Sequence, residues 1–163
     1  MDVKKSTVKT NAMRMLDADK ISYKAMFYEC DESDLSGTTV AASIGLPCEM
    51  VFKTLVAKGD KTGFCVFCIP VDAELDLKKA AKHSGNKRVE LLPVKELLAT
   101  TGYIRGGCSP IGMKKPFPTF FDESCILFDE ITISAGVRGC QLLINTEALI
   151  KFVGGKECPL TME

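Results

Sequence analysis

The 163-residue sequence contains a single histidine, no net charge and no long apolar run. Each shortage narrows the field. No stretch approaches the roughly 18–20 apolar residues that a membrane-spanning helix needs; the longest candidate, Phe64 to Val71, is strand-sized. A soluble chain without membrane attachment is expected. Lys and Arg (21) balance Asp and Glu (21), so no global positive field gathers nucleic acid from a distance. An RNA ligand would need local attraction or a partner that supplies it. The one histidine, His83, has no second ligand at metal spacing, so no metal site is expected. The opening MDVKKSTVKTNAM lacks the apolar core of a signal peptide, which predicts a reducing, cytoplasmic setting.

What remains is ordinary globular usage, 46% hydrophobic and 26% charged. At roughly 150 residues per domain the length predicts one domain, residues 1–163. The eight cysteines fall short of a disulfide scaffold, because Cys65, Cys68, Cys125 and Cys140 sit in apolar, strand-like runs.

Apolar spacing over Val8, Ala12, Met15 and Leu16 predicts a helix over 7–18 with Thr7 as cap. A strand over 22–28 and a helix over 38–44, stopped by Gly45, follow a polar loop between them. Two β-branched runs, 51–57 and 64–71, are joined by turn residues and read as a hairpin. Asp76 caps a helix that ends near Gly85, a short strand covers 88–92, and Pro93 opens a helix ended by Gly102. After a long loop, strands are predicted over 119–121, 130–134 and 141–145, then a helix to Val153 capped by Asn145 or Thr146. Residues 158–163 read as a tail. Hairpins among interleaved helices exclude a purely parallel sheet, so the expected class is α/β, a mixed, partly closed, barrel-like sheet with helices packed outside.

Four features could carry chemistry. Cys65 and Cys68 form a CxxC, but inside a strand positions three apart face opposite ways, so packing is favoured over thiol redox work. Lys53 shares a strand face with Val51 and Leu55; it is either a snorkelling surface lysine or a fixed cation for a phosphate or carbonyl oxygen. The loop Gly102-Tyr-Ile-Arg-Gly-Gly-Cys-Ser-Pro-Ile-Gly112 is either a wide turn or an oxyanion site built on Gly106 and Gly107, with Cys108 and Ser109 beside them. Cys108 has no base to activate it as a nucleophile. The loop from Ser134 to Gly139 is either a plain hairpin or a second contact loop offering a hydroxyl and the Arg138 guanidinium. Basic clusters at Lys78, Lys79, Lys82, Lys87 and Arg88, and at Lys114 and Lys115, could grip phosphates locally.

With these motifs in order, VFKTLV (51–56), ELDLKKAAK (74–82), TGYIRGGCSPIGMKK (101–115), FPTFFDE (117–123) and SAGVRG (134–139), the sequence resembles the YbaK family of Cys-tRNA(Pro) deacylases from about Lys9 to Val153. The resemblance implies a trans-acting enzyme without cofactor that clears cysteine from mischarged tRNA for proline, with prolyl-tRNA synthetase as a partner. It implies that the cysteinyl thiol of the substrate attacks its own ester, so the protein supplies no nucleophile. By the same resemblance Lys53, Gly106 and Gly107 are catalytic, and Tyr28, Thr54, Cys108, Ser109, Ser134 and Arg138 bind substrate. Ser36 stands where some members have phenylalanine, and Gln141 where some have aspartate. The alternatives are editing of another charged tRNA, such as Ala-tRNA(Pro), a non-catalytic tRNA or nucleotide module, and a thiol redox protein.

Overall fold

The computed structural model describes residues 9–163. Thr10 caps helix α1 (Asn11–Ala18) by accepting from the Met13 amide, and α1 buries Ala12, Met13 and Leu16 in the core. The predicted cap Thr7 lies outside the described residues. Strand β1 (Tyr23–Phe27) and helix α2 (Gly37–Ile44) follow; α2 starts one residue earlier than Thr38 and ends at left-handed Gly45. Strands β2 (Phe52–Gly59) and β3 (Gly63–Pro70) form the predicted hairpin. Asp76 caps α3 (Leu77–Ser84) by accepting from the Lys78 and Lys79 amides. The chain continues through β4 (Val89–Leu91), α4 (Val94–Thr101), β5 (Thr119–Asp122), β6 (Glu130–Ser134) and β7 (Cys140–Asn145). It closes with α5 (Thr146–Val153), capped by Asn145, and β8 (Lys156–Cys158).

The strands form a mixed α/β architecture of two open sheets. The larger has the order β4-β2-β3-β5-β8, antiparallel through β4, β2 and β3 and parallel from β3 to β8. The smaller, β1-β7-β6, is antiparallel throughout. They meet where Val51 bridges Thr132, just before β2 begins. Phe52, Val56, Val66, Cys68 and Phe121 of the larger sheet pack with Ile131, Ile133, Leu142 and Ile144 of the smaller one. The other face of the larger sheet packs Cys65, Phe67, Ile69 and Phe120 against α3 through Ala80 and Ala81.

The final residues are no tail. Lys156–Cys158 adds an edge strand parallel to β5, and Leu160 beyond it is fully buried. The Leu160 amide donates to Asp122 Oδ1 at 3.0 Å, and its carbonyl accepts from the Asp76 amide at 2.7 Å. A three-residue strand is too short to show a period, so nothing local in the sequence marks it.

Candidate functional site

Strand β2 has partners along both edges only in its second half. On one edge it pairs with β3 over its whole length; on the other, β4 covers only Ala57 to Gly59. The Val71 amide donates to the Val51 carbonyl, so the alternation of an antiparallel ladder turns Lys53 and Leu55 backbone groups toward β3. The backbone groups of Phe52, Thr54 and Val56 therefore point to the free edge, where the Val56 carbonyl accepts from the Leu92 amide at 2.9 Å. Alongside this edge runs a groove of about 460 Å³. Its walls are the start of α2 (Ser36 to Thr38), the apolar side of β4 and α4 (Leu91, Leu92, Val94, Leu97), and the glycine loop (Arg105, Gly106, Cys108), with Ser134 and Gln141 at one end.

Lys53 lies in this groove, half-buried, with Nζ donating to the Val71 carbonyl at 3.4 Å. Burial holds its pKa below the ordinary lysine value, while Asp72 and Glu74 pull it the other way. The Lys53 ammonium is thus partly desolvated within the groove. Val71 also carries α2: a Cβ at Gly37 would stand 2.5 Å from Val71 Cβ, so only glycine lets the start of α2 come this close. The lysine ammonium and the partly positive start of α2 thus open into one groove around Val71.

The glycine loop is held from behind by the second loop. Gly106 has φ +86°, and a Cβ there would meet Arg138 Nε and Leu35 Cδ2 at 3.3 Å. Arg138 Nε donates to the Arg105 carbonyl at 2.9 Å, and Nη1 reaches Glu32 Oε2 at 3.5 Å. Arg138 therefore links three loops, and it does not line the groove. Gly107 also lies outside the lining: its amide donates to the Ile104 carbonyl, and a Cβ would press on Val137 and Arg138 backbone at 3.2 Å. Ser109 is fully buried, its hydroxyl accepting from the Ile111 amide at 3.2 Å. Tyr28 lines a smaller neighbouring cleft that shares Leu35, Val40 and Gly106 with the groove.

Of the nine site residues read from the sequence, the groove brings together Lys53, Thr54, Gly106, Cys108 and Ser134. Ser134 Oγ accepts from the Gly136 amide at 3.1 Å, which leaves its hydroxyl proton to donate. Burial pushes the Cys108 thiol up to about 12, so it is neutral near pH 7 and a poor nucleophile. Cys65 packs on the α3 side of β3 and Cys68 on the opposite side, which removes the redox pair. Burial raises both thiols, Cys65 to about 11. Ser36, singled out from the sequence, lines the groove at the start of α2, whereas sequence reasoning missed the apolar wall of Leu91 to Leu97. Only contacts between distant segments reveal it.

The half-buried Lys53 ammonium and the exposed Arg105 side chain line a groove beside an unpaired strand edge, flanked by hydroxyls and without an activated nucleophile, an arrangement suited to ligand oxygens. Residues 35–152 match the aminoacyl-tRNA editing domain, and the chain belongs to that family. It is 50% identical over 161 residues to an Enterococcus faecalis protein named "Putative Cys-tRNA(Pro)/Cys-tRNA(Cys) deacylase EbsC", covering 99% of this chain and 98% of that one. It is 27% identical over 124 residues to YwhH of Bacillus subtilis, covering 74% of this chain and 78% of that one. Its fold matches a solved structure described as a "putative trans-editing enzyme for prolyl tRNA synthetase", with TM-score 0.79, 21% identity, and coverage of 96% and 100%.

Proposed function

We infer that the protein is a trans-acting aminoacyl-tRNA deacylase whose substrate is Cys-tRNA(Pro), with Cys-tRNA(Cys) as the related second substrate named for its Enterococcus relative. The observation that carries this reading is the placement of Lys53, a desolvated ammonium in a groove of about 460 Å³ in a member of the editing family.

The family resemblance implies substrate-assisted chemistry, and the absence of an activated nucleophile among the groove residues agrees with it. The thiolate of the bound cysteinyl group attacks its own ester carbonyl; a C–S bond forms, the C–O bond to the ribose breaks, and the ribose oxygen takes up a proton. Water then opens the thiolactone to free cysteine. The protein's part is to hold the ester in the attacking conformation and to stabilise negative charge on oxygen. The Lys53 ammonium and the Ser134 hydroxyl are the donors for that charge, and the outward Thr54 backbone groups contact the ligand main chain. One such donor contributes about 2–4 kcal/mol to an oxyanionic transition state. Gly106 gives the backbone close approach, Cys108 contributes shape, and Tyr28 closes the adjoining cleft. Gly107, Ser109 and Arg138 act by holding the two loops in place.

A neutral protein has little long-range hold on a tRNA, so the charged end is read locally and prolyl-tRNA synthetase delivers the rest. The test is cysteine release from Cys-tRNA(Pro) with and without that synthetase. Release by the protein alone, accelerated by the synthetase, is expected; binding of charged tRNA with an unchanged ester lifetime would mark a non-catalytic module. Faster clearance of Ala-tRNA(Pro) would reassign the amino acid.

A further inference from the structure

The protein's charges cancel in total but not in place. Two stretches, β2 and β3 with the turn between them (Phe52 to Pro70) and α3 with the loop that leads to β4 (Leu77 to Arg88), hold eight of the 21 lysines and arginines. They hold one of the 21 acidic residues, Asp60. At the turn end of the β2–β3 hairpin the two stretches are stitched together. Asp60 Oδ1 accepts from the Lys87 and Arg88 amides at 3.0 and 3.2 Å, and the Asp60 amide donates to the Arg88 carbonyl. Asn86 Oδ1 accepts from the Lys61 and Thr62 amides, both at 2.9 Å. Gly59 permits this approach, because a Cβ there would stand 2.3 Å from Asn86 Nδ2.

This stitching fixes the main chain beneath Lys58, Lys61, Lys87 and Arg88, all exposed. Lys58 Nζ lies 5.8 Å from the centroid of the Phe64 ring. Among the described residues none of the four makes a salt bridge or donates from its side chain to the protein. Lys9, Lys79 and Arg138, by contrast, pair with carboxylates, and Lys53 and Lys114 donate to carbonyls. Of the two carboxylates alongside, Asp60 is committed to amides, and Glu90 stands opposite Lys58 in the β2–β4 register without pairing with it. A fixed cluster of unpaired cations is the footprint of a polyanion. Its place beside the groove selects which one. Ala57 pairs with Leu91 of the groove wall, and the next pair along that ladder is Lys58 with Glu90. From Lys53 to Lys58 along the strand is roughly 17 Å. A nucleic acid whose terminal ester sits at Lys53 and that leaves the groove along β2 carries its following phosphates over these four side chains.

We propose that Lys58, Lys61, Lys87 and Arg88 bind the phosphate backbone of the tRNA acceptor end, outside the groove that holds the ester. The RNA named here rests on the deacylase reading; the fixed, unpaired cations do not.

The test sets a substrate that reaches the cluster against one too short to do so. Cleavage of Cys-tRNA(Pro) and of cysteinyl-adenosine, a 3′ ester without phosphate, is followed on the full chain over a range of KCl, with Kd for uncharged tRNA(Pro) measured in parallel. The triple variant Lys58→Gln, Lys87→Gln, Arg88→Gln is expected to raise KM and Kd for tRNA about tenfold at low salt. It should also flatten the log–log salt dependence by about two to three, one phosphate contact per cation, with cysteinyl-adenosine cleaved as by the wild type. A remote triple variant, Lys24→Gln, Lys151→Gln, Lys156→Gln, removes the same charge from β1, α5 and β8 and should leave the tRNA values near wild type. Wild-type KM and Kd in the first variant, or equal losses in both, would overturn the proposal while leaving the deacylase intact. A parallel loss on cysteinyl-adenosine would overturn it by placing the effect in the groove. A loss seen only when prolyl-tRNA synthetase is present would overturn it by assigning the cluster to a protein surface. A wild type that cleaves neither substrate would overturn the deacylase reading, with the cluster still judged by Kd for uncharged tRNA.

Discussion

Strand β3 lies between β2 and β5, so both its edges are paired and its side chains from Cys65 to Pro70 are buried. Strand β2, bonded to it residue for residue, has a free edge beside Lys53 and Thr54. Thr54 and Cys68 are partners in this register, with Oγ1 and Sγ 3.8 Å apart. One strand carries the motif that looks reactive on paper, and the other carries a lysine that looks unremarkable. Placement reverses the two: burial silences the CxxC thiols, and half-burial at a free edge makes the lysine available to a ligand.

The contrast breaks most sharply at Lys53. Lys53→Ala should lower cysteine release from Cys-tRNA(Pro) by about two or more powers of ten, from the loss of one charge-stabilising donor. A rate within threefold of wild type would return Lys53 to the surface lysines.

A second, smaller effect is pH-dependent. Burial favours the neutral amine, so the Lys53 ammonium is lost at lower pH than in an ordinary lysine near 10.4. Affinity for a non-hydrolysable cysteinyl-adenosine, in which a 3′-amide replaces the ester, is thus complete on the acidic side of the depressed pKa and falls as pH rises through it. In Lys53→Arg the guanidinium stays charged, so its affinity, weaker at neutral pH, should stay flat as the wild type declines. Parallel profiles would exclude Lys53 as the titrating group.

The smallest effects belong to the thiols. Cys108→Ala should change the rate of cysteine release no more than threefold; complete loss would install Cys108 as a covalent nucleophile. In the folded protein, Cys30, Cys48 and Cys158 are partly accessible and should react with a thiol reagent, whereas Cys65, Cys68, Cys108, Cys125 and Cys140 should react only after unfolding. Rapid labelling of Cys65 and Cys68 in the native state would reopen the redox reading.

Much of this fold was legible because capping and periodicity are local. Asp76, Gly85, Gly102 and Asn145 mark helix ends by chemistry that needs no distant partner, and the β2–β3 hairpin follows from two β-branched runs around a turn. Thr10 supplies the capping oxygen of α1, and the expected cap Thr7 lies outside the described residues. β8 and the docking of Leu160 were not legible: both depend on β5 and Asp122, far away in sequence. For the site, the motif residues were legible, but the division between those that line the groove and those that brace it was not. Arg138 and Gly107 share a loop neighbourhood with Gly106, yet only Gly106 faces the groove, a distinction set by how the two loops stack.

In the proposed mechanism the groove supplies electrostatics and conformation while the substrate supplies the nucleophile. The most direct measurement is the rate of deacylation of tRNA(Pro) charged with cysteine and, in parallel, with serine, which differs only by oxygen in place of sulfur. Clearance of the cysteinyl ester at least a hundredfold faster than the seryl ester is predicted; equal rates would contradict it and assign the attack to a water activated by the protein.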